Sequence, residues 1–151
     1  DKILKGLKNI AETKSLFVSR GDESGTDAKE KSLWNLLNIK VRSMSGTWYR
    51  ETGSGMGTTL NIAIGMGAYA LVDRATWITF NNRADFEIIV ESERILFNQY
   101  GLVTINPDNC PNINLEKANL VIKWLLSEEG QARISSYEVK GETLFFSNFS
   151  E

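Results

Sequence analysis

The 151-residue sequence predicts an α/β fold, and three observations lead to this prediction. Short apolar runs of strand length alternate with longer segments whose apolar residues recur at helical spacing. Glycine-rich turns at residues 19–26 and 53–59 each lead into a helix-like segment. The hydrophobic content of 42% is high enough for a chain of this length to bury roughly two thirds of its unfolded surface.

The first half of the chain alternates helices with short strands. Its opening residues place Ile3, Leu7 and Ile10 at helical spacing among lysines, which predicts an amphipathic helix. Trp48 and Tyr49 either line an opening or, as we expect, cover the edge of a core. The predicted elements are, in order, a helix at 3–13, a strand at 17–18, a helix from 24 to about 37, a brief strand at 39–41, a mostly buried helix at 60–66 and a buried strand at 68–72.

The second half continues this alternation between charged and polar turns. Asn114 and Ser127 are suitable N-caps for two helices, and the acidic first turn of the second helix suits the helix dipole. Gly141 begins a turn that leads into the tail. The predicted elements are, in order, an apolar stretch at 76–80, strands at 86–90 and 101–105, helices at 115–125 and 127–136, and a turn and strand at 141–146.

Composition excludes several classes of function. Lys and Arg number 17 against 19 Asp and Glu, so the chain has no electrostatic footprint for a nucleic acid. Histidine is absent, which removes the usual general base and the commonest metal ligand. Cys110, the only cysteine, can form neither an internal disulfide nor a thiolate metal cluster. The start at Asp1 is neither an initiator Met nor a signal peptide, so we expect a piece of a longer chain.

The loop at residues 19–26 has the composition of an anion site. The helix start after it presents backbone N–H groups without helical partners, together with partial positive charge. Arg20 adds a permanently charged fork, and Ser24 and Thr26 add hydroxyl donors. A structural alternative fits equally well, in which Ser24 or Thr26 caps the helix while Asp22 closes the turn and pairs with Arg20. These residues alone leave both interpretations open.

The turn at residues 53–59 is a second candidate. Gly57 allows a ligand to approach the main chain closely, and Thr58 can serve either as a cap or as a hydroxyl donor. The spacing is that of neither a dinucleotide fingerprint nor a Walker loop. Asp73 and Arg74 follow a predicted strand, where they either face a cleft or form a local ion pair at a hinge.

A series of motifs recurs in the order and spacing of one family. They lie at residues 17–26 (FVSRGDESGT), 29–30, 33–34, 48–49, 55–57, 60 and 68–76 (AYALVDRAT), and later at 98–101 (NQYG), 106–107, 124, 130–131, 141 and 144–145. Together they resemble the tungstate-binding subfamily of ABC transporter solute-binding proteins. The resemblance extends over nearly the entire chain, yet it covers only about the second half of a family member.

The resemblance implies a two-lobed, type II periplasmic-binding architecture that clamps an oxyanion in a cleft. It assigns residues 1–75 to an anion-binding α/β domain of the second lobe, 76–99 to a crossover region and 100–151 to elements that return to the first lobe. The family's first lobe begins with a Thr- and Ser-rich loop that is not found here, so we expect a fragment without its N-terminal half. The implied ligand-binding residues are Arg20, Ser24, Gly25, Thr26, Gly57 and Thr58, with orienting or hinge roles for Asp22, Asp73 and Arg74.

The function implied by this resemblance is oxyanion capture for an ABC transporter. Tungstate is the expected ligand, a transporter permease the expected partner, and the periplasm or cell exterior the expected location. Neither enzymatic activity nor a cofactor is expected. The sequence departs from the family at Glu23, where a second Asp is common, and at residues 91–93, where Glu-Gly-Asp is common. Neither departure changes an anion donor.

Other functions stay open at this point. Molybdate is an alternative ligand, and so is phosphate, because phosphate-binding relatives use a similar loop whose carboxylate accepts the proton of hydrogen phosphate. Asp22 fits a fully deprotonated anion only if it pairs with Arg20 instead. An enzyme acting on a phosphorylated or sulfated substrate would need Asp22 or Asp73 as its base. A sensor domain would share the same fold, since fold does not determine function.

Overall fold

The computed structural model describes residues 1–149, which form two compact units. The first unit runs from Asp1 to Asn98, and the second begins at Gln99. Both units combine helices with short strands, which confirms the predicted α/β class.

The first unit begins with a helix and continues with two segments of strand, loop and helix. Its opening helix ends at Lys14, whose φ of 54° places it in the left-handed conformation common after helices. The elements of this unit are α1 (Lys2–Thr13), β1 (Phe17–Ser19), α2 (Gly25–Leu36), a 3-10 turn (Val41–Met44), β2 (Tyr49–Glu51), α3 (Met56–Gly65), α4 (Arg74–Thr79) and a second 3-10 turn (Arg94–Leu96).

The strands of the first unit pair in parallel. Phe17 lies opposite Tyr49, and Ser19 lies opposite Glu51. On the other side of β1, Tyr69 forms a single parallel bridge with Phe17. Because the strands are parallel, the loops that follow β1 and β2 emerge at the same edge of the sheet.

An aromatic core supports this sheet from the side of α2. The ring of Phe17 lies 5.3 Å from that of Trp34 and 5.9 Å from that of Tyr49. Trp34 and Tyr49 are fully buried, and Leu7 of α1 packs into the same cluster. Trp48 is also buried, so the expectation that residues 48–49 cover a core is confirmed.

The second unit contains two helices and a short hairpin. The predicted caps are confirmed, because the Asn114 side chain accepts from the Lys117 amide at 2.9 Å and the Ser127 hydroxyl accepts from the Gly130 amide at 3.2 Å. The elements of this unit are α5 (Leu115–Leu126), α6 (Glu128–Ser135), β3 (Glu138–Val139) and β4 (Glu142–Thr143), with β3 and β4 antiparallel.

Four predicted strands are wrong over the part of the chain that the structure describes. The segment at 39–41 leads into a 3-10 turn, and the pairing at 68–72 stops after the bridge of Tyr69. The apolar residues at 86–90 and 101–105 find no neighbouring strand among residues 1–149, and Val103 is 89% exposed. Apolar runs form strands only where another strand satisfies their backbone groups.

The apolar stretch at 76–80 belongs to a helix. Asp73 is the N-cap of α4, and its carboxylate accepts from the Thr76 amide at 2.8 Å. The same carboxylate accepts from the Thr76 hydroxyl at 2.8 Å. The pair of residues 73–74 therefore starts a helix instead of closing a strand.

Candidate anion-binding site

Two helices begin at the same edge of the parallel sheet. β1 leads through residues 20–24 into α2, and β2 leads through residues 52–55 into α3. Both loops therefore follow the carboxyl ends of strands, which is where open α/β sheets bind ligands. The Thr52 amide continues the pairing beyond β2 by donating to the Ser19 carbonyl at 3.0 Å.

Further hydrogen bonds hold the two loops side by side. The Ser54 amide donates to the Arg20 carbonyl at 3.3 Å, and the Thr52 hydroxyl donates to the same carbonyl at 3.2 Å. The Thr52 hydroxyl also lies 2.8 Å from the hydroxyl of Thr59, which is fully buried. Sequence reasoning missed Thr52 and Thr59, because their role depends on two loops that lie more than thirty residues apart.

Gly21 makes this close approach possible. Its φ of +61° lies in the left-handed region, and a side chain at this position would come within 2.9 Å of the Glu51 Cβ. A residue with a Cβ would therefore be strained in its backbone and would also push against β2.

The first loop is anchored by a buried carboxylate that sequence reasoning also missed. Asp27 is 1% exposed, and its two oxygens accept from the amides of Gly21 and Glu23, each at 3.1 Å. The Lys31 ammonium donates to the same carboxylate at 2.6 Å, which raises the pKa of Lys31. An available signal was the position of Asp27 three residues after the N-cap Ser24, where an acidic side chain can reach back to the preceding turn.

Arg20 and Asp22 form an ion pair within the loop. The Arg20 Nε and Nη2 atoms lie 3.2 and 2.6 Å from the Asp22 Oδ2 atom, and the Ser24 amide donates to Oδ1 at 3.3 Å. Burial raises the pKa of the Asp22 carboxyl, but hydrogen bonds from Arg20 and Ser24 outweigh it and hold the pKa below its usual value. Asp22 thus fixes the position of the Arg20 guanidinium.

Ser24 caps α2, as the structural alternative predicted. Its hydroxyl accepts from the Asp27 amide at 3.3 Å. Helix geometry leaves the amides of the first positions, Gly25 and Thr26, without acceptors inside the helix. Capping of one amide by Ser24 therefore leaves room for an anion at this helix start, and the ligand-binding role of these residues stays a prediction.

The start of α3 is more open than the start of α2. Its N-cap is Gly55, and no side chain among residues 1–149 caps it. A side-chain carbon added at Gly55 or Gly57 would meet nothing within 4 Å, and Gly57 and Thr58 are exposed. The first turn of α3 therefore presents its amides to the outside of the first unit.

A buried acid on α2 lies beside the aromatic core. Glu30 is 2% exposed, and one of its oxygens accepts from the Tyr49 hydroxyl at 2.7 Å and from the Trp34 Nε1 at 3.1 Å. Burial raises the pKa of Glu30 to about 7, although the hydrogen bonds oppose this. Burial and the neighbouring Glu30 also raise the pKa of the Tyr49 phenol, which keeps it a donor.

The remaining predicted residues lie on α4. Asp73 caps this helix, and Arg74 forms an ion pair of 3.5 Å with Glu91. The contacts described for Asp73 and Arg74 are thus with Thr76 and Glu91, and the orienting or hinge role of the two residues stays a prediction. Within residues 1–149, the structure contains no group of His, Cys, Asp and Glu side chains that could hold a metal ion.

The sequence matches the family described as PBP superfamily domain over residues 2–129. It is 43% identical to the tungstate-binding protein TupA of Peptoclostridium acidaminophilum, over 97% of this chain and 51% of that protein. Its structure resembles TupA from Desulfovibrio alaskensis G20, with a TM-score of 0.73 and 37% identity, over 98% of this chain and 60% of the other. It also resembles the tungstate ABC transporter structure from Geobacter sulfurreducens, with a TM-score of 0.66 and 33% identity. This match covers 89% of this chain and 56% of the other.

Two further findings bear on the whole protein. The chain spans about half the length of the Peptoclostridium relative. Among the helices that the structure describes, none is both long enough and apolar enough to cross a membrane.

Proposed function

The chain belongs to the PBP superfamily, and from this premise we propose that it binds a tetrahedral oxyanion, foremost tungstate, for an ABC transporter. One observation carries the proposal: the loops that lead into α2 and α3 are hydrogen-bonded to each other at one edge of a parallel sheet, and one of them holds the guanidinium of Arg20. Helix N-termini and Arg are the groups that proteins use to bind oxyanions. The similarity to tungstate-binding proteins supports the choice of ligand.

The proposed donors are neutral except for one. Arg20 supplies the charge, and the two helix starts supply backbone amides and hydroxyls. A hydrogen bond to a charged group contributes about 1.5–3 kcal/mol net, so several converging donors would give substantial affinity. The proposed ligand-binding residues are Arg20, Ser24, Gly25, Thr26, Gly57 and Thr58.

The state of Asp22 supports an anion without a proton. Its carboxylate already accepts from Arg20 and from the Ser24 amide, and its lowered pKa keeps it ionised at neutral pH. A dianion such as tungstate has no proton to donate to this ionised carboxylate and would be repelled by it. Arg20 has to compensate the negative charge of Asp22 for such an anion to bind. The pair with Arg20 provides this compensation, so a fully deprotonated dianion such as tungstate or molybdate is acceptable beside Asp22.

The same contacts disfavour an enzyme. A hydrolase at this site would need a free base, whereas Asp22 pairs with Arg20 and Asp73 caps α4. We therefore propose a binding protein without catalytic activity.

The whole-protein function is part of the proposal. The similar structure from Geobacter sulfurreducens is described as a tungstate ABC transporter. This supports a transporter permease as the partner of this protein and a location outside the cytoplasmic membrane. We further propose that residues 1–75 belong to one lobe, that 76–99 cross over, and that the donors described above form one wall of a cleft whose other wall lies in a second lobe. Isothermal titration showing tight tungstate binding by the 151-residue chain alone would contradict this one-wall arrangement.

Backbone NMR can test the binding site even at low affinity. Titration of the ¹⁵N-labelled chain with sodium tungstate should shift the amide signals of Gly25, Thr26, Gly57 and Thr58. Arg20→Ala should weaken this binding by at least about tenfold, since it removes the only charged donor.

Arg42→Ala provides a matched control for this titration. Arg42 is exposed and lies before the amino end of β2, whereas the proposed site lies beyond the carboxyl end. Its removal should leave the tungstate-induced shifts unchanged. Shifts that are absent from the four amides, or phosphate that displaces tungstate at equal concentration, would contradict the proposed ligand.

A further inference from the structure

Asn98 lies against the first turn of α2. A side-chain carbon placed on Gly25 would lie 3.4 Å from the Asn98 Nδ2 atom and 3.6 Å from its Oδ1 atom. Asn98 is exposed, and the structure pairs its carboxamide with no other group among residues 1–149. A neutral amide donor is therefore available beside the helix start at which the anion is proposed to bind.

The segment that carries Asn98 is attached to the first unit at several points. The Glu93 carboxylate accepts from the amides of Lys2 and Ile3, at 2.7 and 3.0 Å, where α1 begins. Ile95 and Leu96 then pack against the aromatic core. The same core holds Leu33 and Trp34 of α2, so one packed cluster positions both the carboxamide and the helix start.

We propose that Asn98 is a further ligand-binding residue of the oxyanion site, whose Nδ2 donates a hydrogen bond to an oxygen of the anion held at the first turn of α2. This inference rests on the proposed oxyanion-binding function. A carboxamide suits the position because it adds a directed donor without adding another charge. Gly25 suits it as well, because a residue without a side chain lets the carboxamide lie directly beside the first turn of α2.

Two substitutions of Asn98 distinguish the effect of its hydrogen-bond donor from the effect of its size. Asn98→Ala removes the carboxamide and should raise the tungstate Kd about tenfold, the effect of one hydrogen bond to a charged group. Asn98→Asp keeps the size but replaces the donor by a carboxylate, which should raise the Kd further because it repels the dianion. The readout is the same amide titration of Gly25 and Gly57 in the 151-residue chain.

Asn35→Asp is the matched control for charge. Asn35 is exposed at the opposite end of α2, about 15 Å from Gly25 along the helix axis. It makes the same charge change at the far end of the helix against which Asn98 lies and should keep the Kd within about twofold of wild type. Urea denaturation of all three variants should show wild-type stability, because both asparagines are exposed.

The outcomes distinguish the two proposals. Wild-type affinity in Asn98→Ala would overturn the role of Asn98. Weak binding by Asn98→Asp would not rescue it, because a carboxylate repels the anion even if the wild-type carboxamide makes no hydrogen bond to it. The oxyanion site itself would then stand. A wild-type chain whose Gly25 and Gly57 amides do not respond to tungstate would overturn the proposed function and this inference with it.

Discussion

The two units of the chain differ in how they bury apolar surface. In the first unit Phe17, Trp34 and Tyr49 are 2% exposed or less. In the second unit, Leu144 is the one buried apolar residue among those that the structure describes, and Tyr100 is 74% exposed. Tertiary packing therefore stabilises α1 and α2 more than α5 and α6, and helices as short as these depend on such packing for most of their stability.

This difference places the candidate site on the better packed unit. β1, α2, β2 and α3 all belong to the first unit, and Asp27 and Thr59 tie the loops of the site to its interior. The geometry of the Arg20 loop is thus maintained by contacts within Asp1–Asn98. A rigid site loses less conformational entropy when it binds a ligand.

The largest test of this comparison replaces one tryptophan in each unit. Trp34→Ala should lower the free energy of unfolding by about 3–5 kcal/mol, because it empties a fully buried site beside Phe17 and Tyr49. Trp124→Ala in α5 should lower it by less than about 1 kcal/mol, because Trp124 is 46% exposed. Urea denaturation followed by far-UV circular dichroism measures both effects. Equal losses would show that α5 packs as tightly as α2.

The sequence predicted those parts of the fold that depend on local signals. The helices beginning after Ser24, Asn114 and Ser127 are confirmed, since an N-cap followed by an apolar periodicity is read within a few residues. The family and its architecture were also predicted, from motifs distributed along the chain. Strands were predicted less well, because the runs at 86–90 and 101–105 give no information about whether a neighbouring strand exists.

The candidate site was predicted only in outline. The two glycine-rich turns identified the loops, and the ion pair of Arg20 with Asp22 was one of two stated alternatives. Asp27 was not identified, because an acidic residue in the first turn of a helix is usually exposed and favours the dipole without any buried partner. Its contacts with Gly21 and Glu23 depend on the path of the loop, which the residue types alone do not determine.

A buried acid gives the first unit a pH dependence. In the folded chain burial raises the pKa of Glu30 from 4.5 to about 7, so the folded state binds the proton more strongly than the unfolded state. The stability contributed by this proton is therefore fully present below pH 4.5 and is lost as the pH rises towards 7. The loss amounts to at most about 3 kcal/mol.

Glu30→Gln measures this effect by difference. The glutamine oxygen can still accept from Tyr49 and Trp34 but carries no charge, so the variant should gain stability relative to wild type between about pH 5 and pH 8. Urea midpoints measured across this range test the expectation. Glu138→Gln, on an exposed position of β3, should give no such trend. A constant difference between wild type and Glu30→Gln would show that Glu30 ionises alike in both states.

The smallest expected effect comes from replacing an N-cap serine in each unit, since both serines make the same kind of capping hydrogen bond. The Ser24 hydroxyl accepts from the Asp27 amide at 3.3 Å in α2, and the Ser127 hydroxyl accepts from the Gly130 amide at 3.2 Å in α6. Replacing either serine by alanine removes the cap and costs about 1 kcal/mol, which is about a fivefold change in the opening equilibrium. Hydrogen exchange followed residue by residue shows where this change occurs.

If the units open separately, each cap should act only on its own unit. Ser24→Ala should speed amide exchange about fivefold in β1 and α2 and leave α5 unchanged, whereas Ser127→Ala should speed exchange in α5 and α6 alone. In wild type, α5 should already exchange faster than α2, because it buries none of the residues described for it. A fivefold faster exchange throughout both units in either variant would mean that they unfold as one cooperative body. In that case α5 would unfold together with the first unit although its apolar residues are exposed. The difference in burial between the two units would then not produce a difference in their stability.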